Sequence, residues 1–218
     1  MTEYNVRSER AEEFIHDGEI RATLEYAREH RADKALIEEI LLKAEQGNGI
    51  THREAAVLIE VEDKDIEERM YAIARRLKER IYGNRIVMFA PLYMSNLCVN
   101  GCKYCGFREG NGLQQRRRLA MDELKEELDV LAGRIGHKRL IAVYGEHPTT
   151  STEYIAETIE TCYARQVPAP RSGAKVGIRR VNVNAAPLPI ADLKVLRSVG
   201  IGTFQVFQET YNRKLYGE

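Results

Sequence analysis

Three cysteines lie close together in the middle of the chain, at Cys98, Cys102 and Cys105. Their spacing places three thiols within one short loop, and no fourth cysteine lies near them. A [4Fe–4S] cluster is ordinarily held by four cysteine thiolates. Three thiolates would leave one iron free to take a small molecule as its ligand, and an open iron favours catalysis over electron storage. The spacing therefore predicts an iron–sulfur cluster with one open site.

A zinc site is the alternative that the same thiols leave open. Structural zinc sites usually have four ligands. The remaining cysteine, Cys162, is far along the chain, but His137 or His147 could complete a set of three cysteines and one histidine. A zinc-stabilised binding module without catalytic activity is therefore a second hypothesis.

Composition and charge set limits on the partners. The chain has 33 Lys and Arg, 33 Asp and Glu, and a formal net charge of zero, so bulk charge suggests neither a nucleic-acid partner nor an anionic membrane surface. The cysteines and the N-terminus bear on the compartment. Clustered cysteines favour a reducing compartment over a disulfide framework.

The polar N-terminus has no signal-peptide pattern, and the longest apolar stretch, residues 86–94, is too short to span a bilayer. We expect a cytoplasmic protein without a membrane partner.

The first part of the chain has a helical pattern throughout, from Ser8 to about Tyr82. Thr51 and Glu54 have the spacing of a capping box that begins one helix. A longer helix, capped by Asp63 or Asp65, follows it and has an apolar face that runs to Ile81. We therefore predict an N-terminal helical region over residues 1–83. A third hypothesis is that this region is a docking domain, although a charged helix face is more often simply solvated.

From residue 84 onward the pattern changes to alternating strands and helices. We predict strands over residues 86–95, 139–145, 178–184 and 203–209, and helices over residues 121–135, 151–165 and 189–199. The basic stretch over residues 108–118 is expected to be a flexible loop. Such alternation implies an α/β fold with a parallel sheet and crossover helices.

The position of the cysteine motif distinguishes two α/β architectures. A doubly wound sheet would satisfy the alternation equally well, but a loop at the carboxyl end of the first strand favours a TIM-like barrel, whose active sites lie on that face. A complete barrel takes about 250 residues, whereas only about four strand–helix units follow residue 84. We therefore expect the first half of a barrel over residues 84–218, in a fragment of a longer protein.

Polar side chains follow the predicted strands and would meet at one edge of the sheet. Asn182 and Asn184 share a face because side chains alternate along a strand. By the same period Gln205 and Glu209 lie on one face of the last strand, and a carboxylate at its end could bind the ammonium group of an amino acid. Bonds to backbone groups for the asparagines, or a salt bridge for Glu209, are the alternatives.

The cysteine motif, with Tyr104 directly before its third cysteine, resembles the signature of the radical S-adenosylmethionine (SAM) enzymes. That resemblance implies two cofactors, a [4Fe–4S] cluster and SAM, which chelates the open iron and is cleaved by one electron to a 5′-deoxyadenosyl radical. Tyr104 and Phe107 lie beside the cluster and could pack on the adenine, with simple packing within the loop as the alternative. The family's Gly-Gly-Glu stretch receives the SAM amino group; Tyr144 replaces its first glycine here, so the resemblance carries this role over only to Gly145 and Glu146. Asn184 could reach the SAM ribose, while Asn182, Gln205 and Glu209 are candidate substrate ligands.

Three longer stretches narrow the resemblance, namely residues 143–148, 180–184 and 200–211. They are similar to the radical SAM tyrosine lyases, and within these to the branch that matures [FeFe]-hydrogenase. This implies cleavage of L-tyrosine to p-cresol and dehydroglycine, then conversion to carbon monoxide and cyanide, with a one-electron donor and other maturation proteins as partners. The thiazole-forming tyrosine lyase of thiamine biosynthesis is the nearest rival. No second cysteine cluster occurs in the chain, and no catalytic residue is assigned.

Overall fold

The computed structural model of this protein describes residues 4, 5, 7, 10, 13, 16–169, 171–210 and 212–216. The chain divides into two units, Met1–Ile86 and Val87–Glu218. Within the described ranges no helix combines the length and the apolar character needed to cross a membrane. The predicted helix start at Ser8 lies outside the described residues.

The first unit is built from helices, as the sequence predicts. Among the described residues they are α1 (Asp17–His30), α2 (Lys34–Glu45), α3 (His52–Ile59) and α4 (Lys64–Tyr82). Short polar side chains begin three of them: Asp33 caps α2, Asp63 caps α4, and Thr51 forms with Glu54 the predicted capping box of α3. These caps satisfy backbone N–H groups that the first turn of a helix leaves without partners.

The core of this unit is a small apolar cluster formed by Ala27, Ile37, Ile40, Leu41, Val57 and Ile73. The prediction that the apolar face of α4 extends to Ile81 is wrong, because that side chain is exposed. Ile81 lies in the last turn of α4, beyond the buried Ile73 and the partly buried Leu77. Helical spacing identifies a shared face, but it does not show how far that face is covered.

The second unit alternates strands and helices. Its elements in chain order are β1 (Ala90–Ser95), α5 (Met121–Leu128), β2 (Arg139–Tyr144), α6 (Thr152–Ala164), β3 (Val167–Pro168), β4 (Lys175–Val176), β5 (Arg180–Asn184), α7 (Ile190–Ser198), β6 (Phe204–Gln205) and α8 (Arg213–Tyr216). Four strands form a parallel sheet in the order β1-β2-β5-β6, and β3 pairs with β4 in a short antiparallel ribbon. The order of the main sheet follows the chain without the reversal of a doubly wound sheet. The predicted partial TIM-like α/β fold is confirmed.

One face of the sheet carries the core of this unit. Its buried side chains occupy alternate strand positions, at Leu92, Met94, Leu140, Ala142, Val181 and Val183. Leu124 and Leu128 of α5, Ile155 and Ile159 of α6 and Leu196 of α7 belong to the same cluster. The intervening strand residues, which include Tyr93, Val143 and Asn184, point to the opposite face because side chains alternate along a strand. In a closed barrel that opposite face is the interior.

All four predicted strands are shorter in the structure, and the first and the last differ most. The first begins at Ala90 and not at Ile86, because Ala90 pairs with Leu140 at the start of β2 and earlier residues have no neighbouring strand to join. The last extends only over Phe204 and Gln205, which pair with the final two residues of β5. Alternation onto faces therefore does not continue from Gln205 to Glu209.

The predicted helix over residues 121–135 changes type along its length. It is α-helical as far as Leu128 and becomes a π-helix over Asp129–Ile135. A π-helix bonds residue i to i+5, so each turn is wider than an α-helical turn. Leu124 and Leu128 are buried, but Ile135 is exposed because the wider turn takes it off the face of the helix that carries these two leucines.

Candidate active site

The carboxyl ends of the parallel strands meet at one edge of the sheet, where a cavity of about 460 Å³ opens. Its lining comes from the loop after β1, from the end of β2, from the end of β5 and from the chain after β6. Most of the predicted site residues lie here: Cys98, Cys102, Tyr104, Cys105, Phe107, Gly145, Glu146, Asn184 and Glu209. Asn182 and Gln205 are not among the lining residues.

The three clustered cysteines are free thiols on the wall of this cavity. Each is partly buried, whereas Cys162 is fully buried in the core beneath the sheet, where burial raises its pKa to about 12. Burial also raises the pKa of the Cys102 thiol, and the negative charge of Glu209 raises it further. Binding to iron would reverse this effect, because a coordinating thiol is deprotonated.

The three thiols are the candidate donors for a metal site at this edge of the sheet. Within the part of the chain that the structure describes, no group of three or more His, Cys, Asp or Glu side chains is placed around one metal ion. Each thiolate of a [4Fe–4S] cluster binds a different iron, so its ligands need not converge on one point. His147 belongs to the same edge of the sheet but bonds through Nδ1 to the hydroxyl of Thr149 at 2.8 Å.

Gly145 is the point at which the end of β2 touches the loop that carries the cysteines. Its N–H donates to the carbonyl of Ser95 at 2.8 Å. A Cβ atom at this position would overlap the carbonyl oxygen of Leu97 and would lie 3.1 Å from the Cβ of Cys98. The sequence interpretation required glycine here for the approach of SAM, whereas the structure requires it for the approach of the loop itself.

Glu146 joins the same loop by two bonds. The Val99 N–H donates to its backbone carbonyl at 2.8 Å, and the Asn100 amide donates to its carboxylate at 2.7 Å. Both donors lie between the first two cysteines. Glu146 therefore fixes the position of Cys98 and Cys102 relative to β2, a role that the sequence did not indicate.

The aromatic residues of the motif have different surroundings. The Phe107 ring packs edge-to-face on Tyr93 with ring centroids 5.8 Å apart. Tyr104 is 71% exposed although it lines the cavity. A partly open aromatic side chain at a cavity wall can pack against a planar ligand without first breaking core contacts.

The sequence predicts three amide side chains on β5 and β6 as site residues, and only one of them lines the cavity. Asn184 lines the cavity and donates to the backbone carbonyl of Gln205 at 3.2 Å. Asn182, two residues earlier on β5, accepts a hydrogen bond through its side-chain oxygen from the Arg180 guanidinium at 3.3 Å. The Gln205 side-chain oxygen is buried and has no hydrogen-bond partner among the described residues. A buried acceptor without a partner is uncommon in proteins.

The basic stretch after the cysteines is an ordered part of the site, so the expectation of a flexible loop is wrong. We call residues 96–120, between β1 and α5, the cysteine loop. Arg116 donates to backbone carbonyls inside this loop, Arg117 pairs with Glu123 at 2.8 Å, and Arg118 lies over the Tyr154 ring at 4.3 Å. Sequence reasoning missed Arg116 and Asn100 because neither residue type nor spacing distinguished them from their neighbours.

Comparisons with known proteins agree on a family. The model of the radical SAM superfamily matches residues 92–217. A solved structure of HydG, a maturase of the [FeFe]-hydrogenase, is 48% identical, with a TM-score of 0.76, and the match covers 92% of this chain and 43% of that one. HydG from Carboxydothermus hydrogenoformans is 36% identical, with a TM-score of 0.70, over 96% of this chain and 46% of that one.

A curated relative is similar over a shorter stretch. The 2-iminoacetate synthase of Salmonella typhimurium is 30% identical over 145 residues, which are 66% of this chain and 35% of the relative. The chain thus spans less than half the length of each of these proteins.

Proposed function

This chain belongs to the radical SAM superfamily, and we propose that it is part of a lyase of the [FeFe]-hydrogenase maturase type, which cleaves L-tyrosine. Enzymes of this superfamily bind a [4Fe–4S] cluster and SAM. The observation that carries the proposal is the similarity to HydG, which extends over 92% of the chain at 48% identity and over 96% at 36% identity in the two solved structures.

The residues of the cavity have distinct parts in this proposal. Cys98, Cys102 and Cys105 hold the cluster, and Tyr104 and Phe107 flank the adenine of SAM. When bound, the cluster and SAM supply one-electron reduction and a radical that removes a hydrogen atom from the substrate.

In this proposal, residues that follow β6 bind the substrate. Glu209 lines the cavity, and its charge acts on Cys102, so the carboxylate lies within electrostatic reach of the cysteines. We assign it to the ammonium group of an amino acid, because a carboxylate is the natural partner of such a group. Val206 and Phe207 line the same cavity and give it an apolar wall.

The proposed reaction breaks the Cα–Cβ bond of L-tyrosine and gives p-cresol and dehydroglycine. In the maturase branch the dehydroglycine is converted further to carbon monoxide and cyanide. A one-electron donor is required, and other hydrogenase maturation proteins are the proposed partners. We place the protein in the cytoplasm, where thiols remain reduced.

The rival function is that of a thiazole-forming tyrosine lyase, which cleaves L-tyrosine but does not convert the dehydroglycine to carbon monoxide and cyanide. 2-Iminoacetate is another name for dehydroglycine, and a 2-iminoacetate synthase is 30% identical to this chain. A thiazole-forming tyrosine lyase would release p-cresol and dehydroglycine without making carbon monoxide or cyanide. The two functions share a site and differ in the fate of the dehydroglycine.

The test uses the full-length protein, reconstituted anaerobically with iron and sulfide and supplied with SAM, a reductant and L-tyrosine. We expect p-cresol by chromatography, together with cyanide and carbon monoxide. Formation of p-cresol alone would favour the thiazole-forming lyase. A protein that holds zinc in place of about four irons, or that forms no p-cresol, would overturn the proposal. A Cys98→Ala variant is the matched control for chemistry that does not depend on the cluster.

A further inference from the structure

The cysteine loop is a long segment without regular secondary structure, and its backbone carbonyls need partners. One side chain, that of Arg116, supplies hydrogen-bond donors to several of these carbonyls. The Arg116 guanidinium donates through Nη1 to the carbonyls of Asn96 at 2.7 Å and Phe107 at 2.8 Å. Through Nη2 it donates to the carbonyl of Arg108 and, at 3.5 Å, to that of Asn111. A single planar group therefore joins the start of the loop to the turn that follows its third cysteine.

That turn contains a hydrogen bond to a predicted cluster ligand. The Phe107 N–H donates to the sulfur of Cys105 at 3.4 Å. The carbonyl of the same peptide unit, that of Gly106, accepts from the Asn111 amide at 2.9 Å. Asn111 thus orients this peptide unit directly, and Arg116 holds the next carbonyl along the chain.

Arginine suits this position for a geometric reason. Its planar guanidinium presents several N–H donors in a fixed fork, and lysine offers a single flexible ammonium group. Four carbonyls in different directions can be bound together by the fork, but not by one ammonium. The side chain of the neighbouring Arg117 pairs instead with Glu123 at the surface.

We propose that Arg116 is a positioning residue for the iron–sulfur cluster: it fixes the turn that aims the Phe107 N–H at the Cys105 sulfur, and so helps to set the reduction potential of the cluster. Hydrogen bonds to the sulfurs are among the features that set such potentials. The positive end of the N–H dipole favours the reduced cluster, which carries more negative charge. Loss of this bond therefore lowers the potential. The inference rests on cluster binding by the cysteines and not on the identity of the substrate.

The test compares Arg116→Ala, Arg116→Lys and Arg117→Ala in the full-length reconstituted protein, without substrate. We measure the midpoint potential by redox titration with EPR, and the rate of iron release to a chelator. Both Arg116 variants should have a more negative potential and release iron about ten-fold faster, the effect expected when outer-shell partners of a metal site are removed. Arg117→Ala should match the wild type in both measurements, since its surface pair does not touch the loop carbonyls.

Any of three results would contradict the proposal. A wild-type potential in Arg116→Ala would show that the guanidinium does not control the ligand sulfur. A wild-type potential in Arg116→Lys would show that positive charge is sufficient and that the fork is not needed. If Arg116→Ala does not fold, Asn111→Ala removes the bond to the Gly106 carbonyl and should shift the potential in the same direction. An unchanged potential in Asn111→Ala would then overturn the proposal. Absence of p-cresol formation in the wild-type protein, with the potential still shifted in Arg116→Ala, would concern the proposed reaction and not this residue.

Discussion

The side-chain amide of Asn100 donates a hydrogen bond to the carboxylate of Glu146, with 2.7 Å between Nδ2 and Oε2. Asn100 lies between the first two cysteines of the motif, and Glu146 lies just after β2, so the bond connects the cysteine loop to the neighbouring strand end. The backbone of Glu146 holds the adjacent residue, Val99, at 2.8 Å. The position of the cysteines therefore depends on β2 as well as on the loop that contains them.

Breaking this connection should loosen the cluster. A hydrogen bond of this kind is worth about 1 kcal/mol, so Asn100→Ala and Glu146→Ala should each speed iron release to a chelator about five-fold. Because both remove the same bond, the double variant should release iron no faster than the faster single variant. Effects that simply multiply in the double variant would show that the two residues act separately.

The cysteines of the motif should each be required for the cluster. Alanine at Cys98, Cys102 or Cys105 removes a thiolate ligand, and the EPR signal of the reduced cluster should be lost. Cys162→Ala is the matched control, since this thiol is buried in the core away from the cavity, and its signal should persist. A cluster that survives in Cys102→Ala would contradict the ligand assignment.

A single methyl group at Gly145 should displace the cysteine loop. The added Cβ would overlap the Leu97 carbonyl oxygen, which is backbone and cannot rotate away. We expect Gly145→Ala to lower the iron content of the reconstituted protein markedly. The control is Gly112→Ala in the same loop, where an added Cβ meets no atom within 4 Å. If Gly145→Ala keeps its iron and only the SAM-induced EPR change is lost, the residue serves SAM and not the loop.

Acid should remove a specific contribution to the stability of the helical unit. The Lys43 ammonium and the bonds from Thr51 lower the pKa of Glu54 from its ordinary 4.5 to about 2. Because the folded pKa is lowered, the stabilisation is complete above pH 4.5 and is lost as the pH falls toward 2. At pH 7 Glu54→Gln should cost about 1 kcal/mol or less, since the pair is only partly buried.

The midpoint of urea unfolding, followed by circular dichroism, measures this effect. The difference between wild type and Glu54→Gln should shrink as the pH is lowered from 4.5 to 2. Glu39→Gln, at an exposed position on α2, should change little at any pH. A difference that stays constant across this range would contradict the role of the Glu54 charge.

Residues 1–218 alone should form the cluster but very little p-cresol. The four parallel strands have β1 and β6 at the two ends of the sheet, whereas a TIM barrel closes with eight. One wall of a barrel can supply the cysteines, but radical chemistry also needs a substrate that is held in place and shielded from water. The measurement is p-cresol per cluster, relative to the full-length protein. Equal yields would mean that this sheet completes its pocket in another way, for example by dimerisation.

Local patterns in the sequence determined the parts of this structure that depend on near neighbours. The capping box of Thr51 and Glu54 forms between residues three apart, and the cysteine spacing fixes a tight turn, with the Cys105 N–H donating to the Cys102 carbonyl at 3.1 Å. Strand and helix periods predicted the order of the elements, from the strand that precedes the cysteines to the strand that contains Gln205. The family also follows from the sequence, since its model matches residues 92–217.

Tertiary structure alone decided which distant residues meet. Arg116, Arg117 and Arg118 are identical in type and consecutive, yet one binds loop carbonyls, one pairs with Glu123 and one covers Tyr154. The limits of β1 and β6 depend on where β2 and β5 begin and end. A period shows which face a side chain occupies, but a neighbour from a remote part of the chain determines what that face touches. For this reason the contact of Gly145 with Leu97 is visible only in the fold.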